Sequence, residues 1–175
     1  MAHLNEIETF RAVWNTEAQS TIRLLEALPT DQYDFRPDPK GRSIGELAWH
    51  LSEIDACLSF GIAERRFRME DEPPDLKRPR EIRLLAPGYR RVHEQAVARL
   101  ENLANDQLDE SVTFFDGSRL TIRDVLWGPL LHHLIHHRGQ LMLMCRMAGG
   151  PPPGIYGPNR EEMLALRAKM ETVKA

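Results

Sequence analysis

From Leu4 onward the apolar residues Ile7, Phe10, Trp14, Ala18, Leu25 and Leu28 recur at steps of three, four or seven, the spacing that puts side chains on one stripe of a helix. Pro29 closes that first helix. The stretch from Pro29 to Arg42 is rich in Pro and Asp, cannot run as regular helix, and predicts a loop over the surface. Ser43 and Glu46 match a capping box at the start of a second helix, whose inward stripe is Ile44, Leu47, Leu51, Ile54, Leu58 and Ile62. Charges and the prolines Pro73, Pro74 and Pro79 mark residues 65–80 as a long exposed connection, which suits a crossover in a bundle. A third helix is predicted from Pro87 to Leu103, with Val92, Ala96, Leu100 and Leu103 inward. Pro87 falls near its first turn, where a missing N–H costs least, or marks a kink.

The segment SVTFFDGSRLT carries an Asp116-Gly117 turn signal between two β-rich runs and predicts a small hairpin or extended arm without evident chemistry. Thr121 and Asp124 form a cap-like start for a fourth long helix, which continues to about Ala148 before Gly149, Gly150 and three prolines stop it. A short last helix is expected after Asn159. The pattern predicts an all-α four-helix bundle formed by one domain, residues 1–175.

Composition narrows the class of function. Of 175 residues, 42% are hydrophobic and 28% charged, as in a globular domain with a core of its own. A formal charge of -3, with Arg65 to Arg68 interleaved among acids, argues against a nucleic-acid partner. No apolar run approaches the roughly 20 residues that span a bilayer, and the N-terminus lacks a signal pattern, so no membrane partner and a cytoplasmic location are expected. Cys57 and Cys145 are far apart and form no CxxC pair, so a metal site must use nitrogen or oxygen.

Four of the seven histidines crowd into LLHHLIHHRGQL. At about 100° per residue, His133 and His137 lie about 40° apart, in line with Ile122, Leu126, Leu130, Gln140 and Met144 on the expected buried face. His132 and His136 fall roughly 60 to 100° away, towards the flank. Two imidazoles one turn apart can share a metal ion. The best third ligand is His50, at the edge of the second helix's stripe between Leu47 and Ile54; His3 lies near a terminus and His93 in the polar run RRVHEQ. Three neutral nitrogens suit a divalent transition metal such as Zn, Ni, Fe or Cu, with Mn also accommodated, and leave a position open for water or substrate. The competing reading is a set of neutral buried histidines, each with a hydrogen bond. Asp55 and Gln140 are candidate contacts to a ligand imidazole or to substrate, with an ion pair and a helix-to-helix hydrogen bond as their alternatives. Trp49 and Trp127 read as packing residues, and Pro129, one turn before His133, as a kink.

Several segments together resemble the DinB superfamily, the DinB/YfiT-like metalloenzymes. YDFRPDPKGRSIGELAWHLSEID resembles the family's loop and second helix with its ligand histidine, here His50. HHLIHHRGQL resembles the C-terminal ligand motif, here His133 and His137. DGSRLTIRDVLW and GIYGPNREE resemble the approach to the fourth helix and the closing loop. The Gly128-Pro129 step departs from the expected ligand helix. The resemblance implies an up-down-down-up bundle, a three-histidine site for Ni, Zn or a similar ion, and a homodimer. Three kinds of function compete, the first two of them implied by the resemblance. One is a thiol-dependent transferase that joins a low-molecular-weight thiol, such as bacillithiol or mycothiol, to a small electrophilic molecule. The second is a hydrolase at the same site, although HHLIHH lacks the Glu of an HExxH motif. The third is a non-enzymatic metal-binding stress-response protein.

Overall fold

The computed structural model describes residues 5–174, so His3 lies outside the described residues. Its long elements are α1 (Glu6–Glu26), α2 (Ile44–Ala63), α3 (Leu85–Arg99) and a continuous fourth helix over residues 122–147. That fourth helix is made of an α-turn, α4 (Ile122–Val125), a π-helical segment (Leu126–His132) and α5 (His133–Met147). A hairpin of β1 (Ser111–Thr113) and β2 (Arg119–Thr121) precedes it, and α6 (Arg160–Lys174) follows. The hairpin is antiparallel, with Val112 opposite Leu120, and Gly117 takes the left-handed conformation (φ 84°) in the turn.

Each boundary has a local cause. The Ser43 hydroxyl accepts from Glu46 N while the Glu46 carboxylate accepts from Ser43 N at 2.9 Å, the reciprocal pair the sequence signals. Arg36 and the Ser43 backbone hold the Glu46 carboxyl down to about 2. Thr121 and Asp124 form the same box ahead of the fourth helix. Asn159 caps α6, its side chain accepting from Glu162 N at 2.7 Å. The third helix starts two residues before Pro87, which stands in its first turn and produces no kink.

Side-chain ties fix the helix directions. Ile7 N donates to Asn105 Oδ1, and the Arg11 guanidinium collects the carbonyls of Leu100, Glu101 and Leu103, so α1 starts where α3 ends. Glu6 meets Arg123 and Trp127, and Glu17 meets Arg138, so α1 and the fourth helix run in the same direction. Asp55 meets His93 and Ser59 meets Arg99, which makes α2 and α3 parallel. The order is therefore up-down-down-up. α2 packs against α3 and against the fourth helix, and α1 closes the other side on the same two elements. Phe10, Trp14, Leu25, Leu51, Ile62, Leu85, Leu134 and Leu141 fill the middle. Among the described residues, no helix is long and apolar enough to cross a membrane.

Pro129 stands inside its helix without ending it. With no N–H and a ring that crowds the carbonyl four residues back, it is absorbed by widening the turns to i→i+5 hydrogen bonds, which carry the His133 N–H to Gly128 O.

Candidate metal centre

Helix α2 presents His50 towards α5, which presents His133 and His137 one turn apart. One ring nitrogen from each lies within 4.8 Å of the others. The ring centroids are 5.6 Å apart for His50 and His133, 4.8 Å for His50 and His137, and 4.5 Å for His133 and His137.

The other nitrogen of two of the rings is already occupied. His50 Nδ1–H donates to Glu53 Oε2 at 2.9 Å, which leaves its Nε2 as a lone pair. His137 Nδ1–H donates to Gln140 Oε1 at 2.7 Å, and its Nε2 stands 2.7 Å from His133 Nε2. Two nitrogens aimed at each other at this distance need a proton or a cation between them, and three directed lone pairs suit a cation better than a single shared proton. Burial is the main cause that lowers the His137 pKa to about 4 and that of His133 below its ordinary range, with repulsion from the neighbouring imidazoles adding to it. Both rings are therefore neutral and able to ligate near pH 7. The cluster is compatible with metal binding.

The centre does not sit on the bundle axis. The buried residues of α5 are Leu134, Arg138, Leu141, Cys145 and, as expected, Met144, whereas His137 is half-buried and Gln140 exposed. The π segment shifts the phase of the helix, so the ligand pair faces the flank shared with α2 instead of continuing the line from Ile122, Leu126 and Leu130. His132 and His136 are exposed. His136 Nε2 accepts from the Gln140 amide at 3.1 Å, so Gln140 bridges it to His137.

Asp55 is elsewhere. Five residues beyond His50 it points about 140° away around α2. It is fully buried, Oδ1 accepting from Trp14 Nε1–H at 3.0 Å and Oδ2 from His93 Nδ1–H at 2.8 Å. His93, which its polar neighbours suggest is exposed, is buried in this hub and reaches Asn15 Oδ1 at 3.0 Å. The carboxylate that does orient a site imidazole is Glu53, and its i,i+3 relation to His50 was the available signal. Trp49 and Trp127 are packing residues whose Nε1–H groups donate to Leu76 O and Glu6 Oε1.

A cavity of about 670 Å³ opens at His50 and His133. The wall from α2 is Ile54, Cys57, Leu58 and Gly61; the facing walls are the 64–80 connection and the hairpin turn, the two segments without apparent chemistry in the sequence. Phe67 packs against Gly61, where a Cβ would meet its ring at 2.3 Å.

Known proteins agree with this architecture. The uncharacterized protein YrdA of Bacillus subtilis (strain 168) is 28% identical over 159 residues, 89% of this chain and 91% of that protein. A second uncharacterized protein of the same organism, YjoA, is 29% identical over 135 residues, 74% of this chain and 82% of YjoA. The crystal structure of a DinB-like protein from Bacillus cereus ATCC 10987 superposes with a TM-score of 0.71 at 28% identity, covering 86% of this chain and 97% of that one. The crystal structure of YjoA, a DinB-like protein, gives 0.66 at 24% identity over 86% of this chain and 99% of its own, a likeness of fold. The family model of the DinB superfamily matches residues 14–141, and with this bundle and these relatives the chain belongs to the DinB superfamily.

Proposed function

We propose that the chain is a cytoplasmic, divalent-metal-dependent enzyme of the DinB/YfiT type that transfers a low-molecular-weight thiol to a small electrophilic molecule. The observation that supports this best is the convergence of three imidazoles, two of them with the outer nitrogen engaged, beside an open cavity that His50 and His133 line. A divalent ion held by His50, His133 and His137, Ni or Zn first, would supply a Lewis-acidic centre that lowers the pKa of a bound thiol or water. Glu53 and Gln140 keep two of the ligand rings in the tautomer that points Nε2 inward. The cavity beside His50 and His133 holds the electrophile within reach of the sulfur. The sulfur's electron pair forms the new S–C bond, the bond from carbon to the leaving group breaks, that group departs with the bonding pair, and the thiol proton passes to water.

Hydrolysis is the second reading, and Glu53 favours it by supplying the carboxylate missing from the HHLIHH motif. The proposal includes a homodimer, which would cover the exposed apolar residues Leu143 and Met147 on α5 and Leu164 and Leu166 on α6. The test is to incubate Ni- or Zn-loaded protein with bacillithiol, mycothiol or glutathione and a chlorinated aromatic acceptor. Thioether formation that disappears in His133→Ala is expected. No rate above the metal-free protein with any thiol, together with His133-dependent cleavage of esters, would put the hydrolase first.

A further inference from the structure

The connection 64–80 and the hairpin turn are non-helical, yet each sends phenylalanines to the same place. The rings of Phe67, Phe114 and Phe115 lie 4.9 to 5.4 Å apart in tilted and edge-to-face contacts. Phe114 and Phe115 remain only half-buried and line the cavity, so their outer surfaces are open to another ring. The volume of about 670 Å³ lies within the range of pockets that enclose a whole small ligand.

Charge on the walls is already accounted for. Glu53 is held by His50 at 2.9 Å, and Arg66 is paired with Asp71 at 3.1 Å. Arg68 and Glu72 stand exposed at the mouth with opposite signs. The deep wall is dry enough that burial pushes the Cys57 thiol up to about 11. A phosphate, carboxylate or sugar placed there would give up its hydration without a partner. Apart from Arg68 and Glu72 at the mouth, the polar groups free to meet a ligand are therefore at the histidine end.

We infer that the small molecule handled at this site has one polar head and an uncharged aromatic body, with the head at His50, His133 and His137 and the body among Phe67, Phe114 and Phe115. The inference rests on the proposed metal centre for the head alone; the body site stands on the cavity.

Two ligands separate these parts: 2-naphthol, which has the body, and 2-naphthohydroxamic acid, which adds a metal-binding head. Acetohydroxamic acid and 4-carboxybenzohydroxamic acid serve as controls without a body and with a charged one. All four are titrated by calorimetry into Ni-loaded and metal-free protein, with Ni content measured directly. On loaded protein, the naphthyl hydroxamate is expected to bind at least tenfold tighter than acetohydroxamate and at least tenfold tighter than the carboxylated compound. Naphthol should bind loaded and metal-free protein alike. Phe115→Ala at the hairpin tip, and Cys57→Phe, which fills the cavity from α2, should each weaken both naphthyl ligands at least fivefold while Ni content is unchanged. A flat hydroxamate series, or equal binding of the charged body, with Ni bound overturns the aromatic-body inference and leaves the metal centre standing. Failure to bind Ni, with naphthol still lost in Phe115→Ala, overturns the metal centre and leaves the body site.

Discussion

Arg138 follows the candidate ligand His137 directly, and its side chain turns into the core against α1. It is 1% exposed. Its guanidinium donates to Glu17 O at 2.9 Å, to Glu17 Oε2 at 2.5 Å and to Tyr156 OH at 2.5 Å, while the Tyr156 hydroxyl donates to Glu17 Oε2 at 2.7 Å. Arg138→Met keeps much of the volume and removes the cation, which strands the Glu17 carboxylate in the interior with one hydroxyl. Breaking a buried pair from one side costs about 3–5 kcal/mol. Tyr156→Phe removes a single hydroxyl from a ring that is 72% exposed and leaves the pair intact, so about 1–2 kcal/mol is expected. In Glu17→Leu with Arg138→Met, no charge is left unpaired, and the double variant should be more stable than either single one. Urea unfolding followed by tryptophan fluorescence gives all four values. If Arg138→Met costs less than about 1 kcal/mol, or if the two single losses simply add, the Glu17 carboxylate is hydrated and the burial argument is wrong.

Glu53→Ala frees the His50 ring to rotate and should weaken Ni binding about tenfold, the low end for such partners because the carboxylate is 39% exposed; a chelator competition assay showing an unchanged affinity would remove Glu53 from the site. Between the unfolded imidazole value of about 6.5 and the folded His137 value of about 4, the unfolded chain takes up a proton that the native chain does not. The stability of metal-free protein should accordingly be complete above about pH 6.5 and fall as the pH drops towards 4, and less steeply in His137→Gln; equal slopes in urea midpoints at pH 7.5, 6 and 5 would contradict burial of this imidazole as the cause. Gly61→Ala places a Cβ 2.3 Å from the Phe67 ring. The resulting displacement should cost about 1–3 kcal/mol and outweigh the gain of about 1 kcal/mol in helix propensity, so a variant that melts higher than the parent would refute the contact.

Helices and caps are legible in the sequence because they are local. Ser43 with Glu46 and Thr121 with Asp124 state their hydrogen bonds in a four-residue window, and the stripes of α1 and α2 need only a 3.6-residue period. The three imidazoles are legible from a spacing of four and a stripe edge, assisted by family resemblance. What escapes is anything that needs the phase of one element against another. Asp55 belongs to the inward face of α2, which suggests a place at the site, but that face is wide, and Asp55 serves the side towards α1 and α3. His93 hides among charged neighbours for the same reason. The Phe67, Phe114 and Phe115 cluster joins segments about fifty residues apart in the chain, and no periodicity within either segment announces it.

The widened turns around Pro129 act as a gear between two halves of one helix. Upstream, the hairpin and the Thr121 cap set where the helix begins; downstream, Arg138 sets which way the imidazoles look. One surplus residue between them lets each half keep its own angular setting. Excising a residue at Gly128 and rewinding the segment to an ordinary pitch would swing one half against the other by about 100°. Either the cap would come off its seat or the imidazoles would turn away from His50, so the length of this short stretch is a tighter constraint on the chemistry than most of the side chains around it.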